Sequence, residues 1–194
     1  MRAFAVSAAL LLIAHSGPLF AADQVEVRPA SWAQPVVREG APNLFKVSDT
    51  LYRSAQPTHE GLRNLKGLNI VTVVNLRAFH ADELDPDLAY VHINMKTWHP
   101  EREDVVRFLA IVTDPNRTPV LLHCKHGADR TGAMTAIYRI AVQGWSKDDA
   151  IREMKEGGFG FHSVWGNLPE WIHDLDIDAL RLDAGIVADS QISN

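Results

Sequence analysis

The chain has 194 residues, 46% of them hydrophobic and 22% charged, which are the proportions of an ordinary globular protein. Its formal charge of −5 argues against nucleic acid or an anionic membrane as a bulk partner. One cysteine excludes an intramolecular disulfide, so the core must hold without one.

Residues 1 to 22 carry the pattern of a secretory signal. Arg2 gives a positive start, Ala3 to Ala14 form an apolar run too short to cross a bilayer, and Gly17-Pro18 ends it. Leu19-Phe20-Ala21-Ala22 offers small residues for cleavage after Ala21 or Ala22. The expectation is an exported protein without stable membrane insertion, periplasmic if the source is a Gram-negative bacterium; an uncleaved anchor is the alternative. About 170 residues then remain, enough for one domain with its own core.

Pro29, Pro35, Gly40 and Pro42 with little periodicity predict a flexible leader over residues 23–42. Leu44 to Val47 and Thr50 to Arg53 flank Ser48-Asp49 as a short hairpin. Thr58 predicts the cap of a helix running to about Lys66 and closed by Gly67. Ile70 to Leu76 is β-branched and apolar, a buried parallel strand. Residues 79–88 suggest a short acidic helix, and Tyr90 to Met95 a second strand. Val105, Val106, Leu109 and Val112 fall at helical spacing between Glu101 and Thr113.

Pro119 to His123 reads as a strand and Thr131 to Val142 as a largely apolar helix. Ser146-Lys147-Asp148-Asp149 is a capping pattern for a helix to about Glu156. Gly157 to Phe161 forms a hinge-like turn, Pro169 to Leu182 a last amphipathic helix, and residues 183–194 a disordered tail. This alternation predicts a single α/β domain over residues 43–182. Its central, mostly parallel sheet is flanked by helices, with a site at the carboxyl end of a central strand.

The segment His123-Cys124-Lys125-His126-Gly127-Ala128-Asp129-Arg130-Thr131-Gly132 carries the most chemistry. It places the cysteine six positions before an arginine, between strand and helix. A free thiol has a pKa near 8.5, so only a small fraction is thiolate at neutral pH. Loop amides, the positive end of the following helix and Arg130 would all favour the anion. The same donors suit phosphate oxygens, which Arg130 can grip as a fork. The backbone of Gly127 and Ala128, together with Lys125 and His126, completes the expected substrate-binding set. The competing readings are a buried inert cysteine, a surface arginine, and Thr131 as a simple helix cap. The place of Cys124 between His123 and Lys125 in a Gly-containing turn decides against the first, and the spacing of Arg130 from it against the second.

His123-Cys124, five residues, Arg130 and Thr131-Gly132 resemble the signature loop of cysteine-dependent protein tyrosine and dual-specificity phosphatases. Tyr52-Arg53-Ser54-Ala55-Gln56-Pro57, Val74-Asn75-Leu76-Arg77, Tyr138-Arg139-Ile140, Gln143-Gly144-Trp145 and Glu153-Met154 are similar to segments of the small bacterial members. The likeness spans residues 43 to 175. It implies a cysteine-phosphatase fold and a phosphocysteine intermediate, with Cys124 as nucleophile, Arg130 as phosphate clamp and Thr131 assisting departure of the thiolate. The implied substrate is a phosphorylated protein, bearing phosphotyrosine or also phosphoserine and phosphothreonine.

The family usually supplies an aspartate as proton donor from the loop before the signature strand. Here that loop, Thr97 to Asp104, has no aspartate at its tip. Glu101 lies nearest the expected place, with His99 and Asp104 as neighbours. Asp129 is the other candidate, because it resembles the loop aspartate of myotubularin-like lipid phosphatases, which is taken to be a proton donor. Asp129 also has a plainer reading, in which it orients Arg130 or a loop amide. That likeness, with Lys125 and His126, keeps a phosphoinositide or inositol phosphate phosphatase as the alternative function. A sulfurtransferase and a catalytically dead phosphate-binding module fit the Cys124–Arg130 spacing less well. His99, His123, His126 and His162 show no metal-ligand spacing, so neither metal nor cofactor is expected. Arg53 and Arg77 either face the site or pair at the surface, and Trp98 either flanks the cleft or packs in the core.

Overall fold

The computed structural model describes residues 28–80 and 87–186. The expected signal at 1–22, most of the acidic stretch at 79–88 and residues 187–194 of the expected tail lie outside them, whereas residues 183–186 of that tail close a last helix, with Ile186 N donating to Arg181 O at 2.8 Å. The strands are β1 (Gln34–Pro35), β2 (Phe45–Lys46), β3 (Leu51–Ser54), β4 (Thr72–Asn75), β5 (Ala89–His92) and β6 (Val120–His123). The helices are α1 (His59–Leu65), α2 (Arg102–Val112), α3 (Asp129–Ala141), α4 (Lys147–Glu156), α5 (Asn167–Asp174) and α6 (Ile177–Asp183).

One sheet runs in the order β1-β2-β3-β6-β4-β5. The four strands from β3 to β5 are parallel, and β1 and β2 add an antiparallel edge. β6 lies inside the sheet and is buried along its length, as are β3 and β4. Alternation along these strands divides the core in two. Tyr52, Val73 and Leu121 point toward α1 with Leu62 and Leu65, whereas Leu51, Val74, Val120 and Leu122 point toward the larger cluster under α2 to α6. α3 is the buried centre of that cluster, with Met134, Ile137 and Tyr138 inaccessible or nearly so.

The hairpin, the strands and the capped helices stand where the sequence places them. Thr58 Oγ1 accepts from Gly61 N at 2.9 Å, and Ser146 Oγ accepts from Asp149 N at 3.1 Å. Four elements differ. α3 begins at Asp129, two residues before the expected start, so Ala128 occupies the cap position and Thr131 is already inside the helix. α1 closes through a 3₁₀ turn at Lys66–Leu68 and a left-handed Asn69, not at Gly67. The last amphipathic run is two helices, because Leu175 is extended and the Asp176 side chain caps α6 by accepting from Ala179 N at 3.0 Å. Lys147 Nζ takes up the loose carbonyls of His173 and Leu175 at that break.

The fourth difference concerns residues 28–42, expected to be a flexible leader. They pack on the domain: Ala33 is fully buried, Pro35 pairs with Phe45, and Arg28 donates to the Ala33 and Gly157 carbonyls at 2.7 Å. The anchor is a buried carboxylate. Glu153 on α4 receives Arg139 Nε and Nη2 at 2.8 Å each, and the Ala33 N–H at 2.6 Å. Arg139 also donates to the Val47 carbonyl at 3.3 Å and stacks on Trp145. Neither side chain of this pair is more than 3% exposed. A buried pair with every donor placed is costly to break, since the surviving charge stays behind unpaired. Replacing Glu153 with glutamine is therefore expected to lower unfolding free energy by roughly 3–5 kcal/mol in urea or guanidinium titrations.

Candidate active site

The residues between β6 and α3 turn around the cysteine, and their carbonyls show how. Gln56 N donates to Lys125 O at 3.3 Å, Asn43 Nδ2 to His126 O at 2.9 Å, Arg53 Nη2 to Gly127 O at 2.6 Å and Gly132 N to Ala128 O at 2.7 Å. Three consecutive carbonyls are thus held by donors from elsewhere in the chain, and the fourth, of Ala128, takes the first hydrogen bond of α3. In a planar trans peptide the C=O of one residue and the N–H of the next point in opposite directions. The N–H groups of His126, Gly127, Ala128 and Asp129 are thereby turned the other way, into the loop. That is a nest for an anion at the positive end of α3.

Gly127 is required here. Its φ is +68°, and a Cβ would fall 2.5 Å from Ser54 C and Ala55 N, which are backbone atoms that have no room to yield. Cys124 is 2% exposed at the base of the loop, and Thr131 is fully buried one turn into the helix. The Thr131 hydroxyl has no hydrogen-bond partner among the described residues and does not cap α3. Arg130 is partly exposed and reaches the Leu76 carbonyl at the end of β4 with Nη1 at 3.2 Å. Lys125 and His126 are exposed at the rim.

Arg53 lies beneath the loop on β3, inaccessible to solvent, with its guanidinium 3.6 Å from the centre of the Phe159 ring. Burial pulls its pKa down to about 9, against which Glu153 and then the Cys124 sulfur pull it back up. Among the described residues its one hydrogen bond is to Gly127 O, and its Nε and Nη1 are buried without partners. Asn43, in a left-handed conformation, joins His126 O to Phe159 O at 2.9 Å each. Neither role was evident in the sequence beyond the likeness of the segment holding Arg53. Arg77 pairs with Gln56 Oε1 at 2.8 Å, so it supports the residue that donates to Lys125 O.

The proton-donor candidates separate. Glu101 is an exposed helix-cap residue 3.7 Å from Lys96 Nζ. Burial, reinforced by Glu101, raises the Asp104 carboxyl above its ordinary range. His99 is exposed, and Trp98 is 59% exposed, not in the core. Among the described residues no hydrogen bond or ion pair joins Glu101 or Asp104 to the loop. Asp129 is in the loop's own helix turn, nearly buried, and meets His162, a residue with no assigned role in the sequence. His126, Asp129 and His162 hold their side-chain donor atoms within 4.8 Å of one another. Two imidazoles and a carboxylate are ligand types for a transition metal, but both Asp129 oxygens are already within hydrogen-bond distance of His162, with Oδ1 accepting from its main-chain N–H.

A thiol at the floor of an inward-facing ring of amides, with an arginine opening the next helix, defines a cysteine-dependent phosphatase. Residues 34–164 match the family model described as DSP-PTPase phosphatase fused to NAD+ kinase. The dual specificity protein phosphatase TpbA of Pseudomonas aeruginosa is 37% identical over 187 residues, covering 92% of this chain and 81% of that protein. A crystal structure of TpbA, as a cysteine-to-serine variant in complex with phosphotyrosine, superposes with a TM-score of 0.70 at 34% identity, covering 81% of this chain and 98% of that one. More distantly, the inositol diphosphatase DSP3 of Arabidopsis thaliana is 29% identical over 153 residues, covering 72% of each chain. The chain belongs to the DSP-PTPase family of cysteine-dependent dual-specificity phosphatases.

Exchanging Arg53 for methionine separates the site from the core. Among the described residues Arg53 forms no direct ion pair, its Nε and Nη1 are without partners, and Glu153 keeps Arg139, so an apolar side chain of similar size strands no charge, whereas Gly127 O loses its donor. The melting temperature is expected to move by only a few degrees, while kcat/KM falls about tenfold or more, ~1.4 kcal/mol of transition-state stabilisation.

Proposed function

We propose that this protein hydrolyses phosphotyrosine, and phosphoserine or phosphothreonine more slowly, in phosphorylated proteins through a phosphocysteine intermediate. The observation that carries this reading is the pinning of the Lys125, His126 and Gly127 carbonyls from elsewhere in the chain and of the Ala128 carbonyl by the first turn of α3; peptide geometry then turns the following N–H groups toward the space above Cys124. A phosphate dianion seated there meets donors on its equatorial oxygens and the Arg130 guanidinium as a fork. The Cys124 thiolate attacks phosphorus, the ester P–O bond breaks, and the leaving oxygen takes a proton. Water then attacks phosphorus, the P–S bond breaks, and the sulfur departs with its electron pair near the buried Thr131. The complex of TpbA with phosphotyrosine supports the choice of substrate.

A second reading, hydrolysis of inositol phosphates, is favoured by the exposed Lys125 and His126 at the rim and by the likeness to inositol diphosphatase DSP3. A panel of phosphotyrosine, phosphoserine and phosphothreonine peptides beside inositol phosphates separates the two. The expected order puts phosphotyrosine peptides first by kcat/KM. Cys124→Ser is expected to abolish turnover on all of them, since its weakly acidic hydroxyl replaces the nucleophile, while still binding the peptide. Faster turnover of inositol phosphates would transfer the assignment to the second reading.

The apolar run from Ala3 to Ala14 behind Arg2 supports export. Among the described residues no helix is long and apolar enough to cross a membrane. Produced in a Gram-negative host, the protein is expected in the periplasmic fraction with Ala22 or Asp23 at its amino terminus by mass spectrometry. A chain that keeps Met1 in the cytosol would refute the export reading.

A further inference from the structure

Asp129 does not stand free to deliver a proton. His162 Nδ1 lies 2.9 Å from its Oδ2 and 3.1 Å from Oδ1, and the His162 backbone N–H donates to Oδ1 at 2.9 Å. Oδ1 accepts from the main-chain N–H, and both oxygens accept from the ring in the tautomer that carries its proton on Nδ1. The same contacts fix the imidazole at two points, its ring nitrogen and its own main chain. With Nδ1 given to the carboxylate, Nε2 is the nitrogen left for other work.

The location suits that work. The His162 ring packs beside His126, two residues from Cys124, with centroids 5.5 Å apart. Its side chain is 50% exposed while that of Asp129 is 11% exposed, so the carboxylate is the buried side of the pair and the imidazole the open side. The turn that delivers it is anchored: Gly158 and Gly160 have φ of +72° and +83°, and between them Phe159 is buried against Phe45 and the Arg53 guanidinium. What the sequence suggests is a hinge therefore serves as a fixed arm. Among the described residues, the titratable groups facing His162 are Asp129 on α3 and His126 in the loop.

We propose that His162 is the proton carrier of this site and Asp129 its positioning partner, a replacement for the aspartate that the tip of the loop at residues 97–104 lacks. The proposal rests on the phosphocysteine reading. As the S–P bond forms and the ester P–O bond breaks, the imidazolium gives its Nε2 proton to the leaving oxygen. In the second half, neutral Nε2 takes a proton from the water that attacks phosphorus, the sulfur leaves as thiolate, and the imidazolium is restored as phosphate departs. One proton is lent and returned per turnover.

A series of aryl phosphates tests it, because a good leaving group needs no proton and a poor one does. His162→Gln is expected to lose about 100-fold or more on phenyl phosphate, the usual range for a general acid, and little on dinitrophenyl phosphate. Asp129→Asn should show the same slope with a smaller loss, and Glu101→Gln and Asp104→Asn should keep the wild-type slope. Free imidazole should restore His162→Ala on phenyl phosphate, which a merely structural histidine would not permit. Tungstate affinity and melting temperature, measured alongside, are expected to stay at wild-type values. An equal loss of His162→Gln across the series, or a steepened slope in Asp104→Asn or Glu101→Gln instead, overturns the proposal. Failure of the underlying reading is distinct: Cys124→Ser would then keep its turnover.

Discussion

The site depends on a guanidinium buried where no water reaches it. Arg53 holds the carbonyl of Gly127, the one loop residue with a left-handed backbone, and with it the direction of the next N–H. Such a charge is unfavourable alone in the interior. It persists because Glu153 and then the Cys124 sulfur favour it against the cost of burial, and because the face of Phe159 covers it. Phosphate chemistry on the surface is thus supported by an ionic layer inside.

That layer reaches further than the site. Glu153 also carries Arg139 and the amide of Ala33, so one carboxylate ties α3, α4 and the segment before β1 together. Arg139 extends the tie to the hairpin through the Val47 carbonyl. A disturbance at Glu153 therefore acts on the fold and on the phosphate loop at once. Stability and catalysis are linked through a group that touches no substrate.

The loop and its neighbours were legible to different depths. The Cys124–Arg130 spacing identified the nest, and the strand and helix around it followed from apolar runs bounded by Pro119 and Gly132. The start of α3 was misplaced because Asp129 and Arg130 look like loop residues; it is the tertiary pinning of the loop that lets the helix begin under them. Residues 28–42 looked unstructured because prolines and glycines mask pairing whose partners, Phe45 and Glu153, lie far along the chain. His162 carried no signal, since its partner is 33 residues away and its neighbours Gly160 and Phe161 read only as a turn.

By itself, the sequence determined which chemistry this protein performs, because a thiol and a guanidinium at that separation on a strand–loop–helix leave few alternatives. Local periodicity likewise determined most of the helices and strands, since a buried face must recur with the element's own period. Only the tertiary structure decided which charges lie under the loop, which carbonyls turn outward, and which imidazole meets Asp129. These are contacts between residues distant in the chain, made when β3, α3 and the Gly157–Phe161 turn pack together, and no local pattern encodes a meeting of that kind.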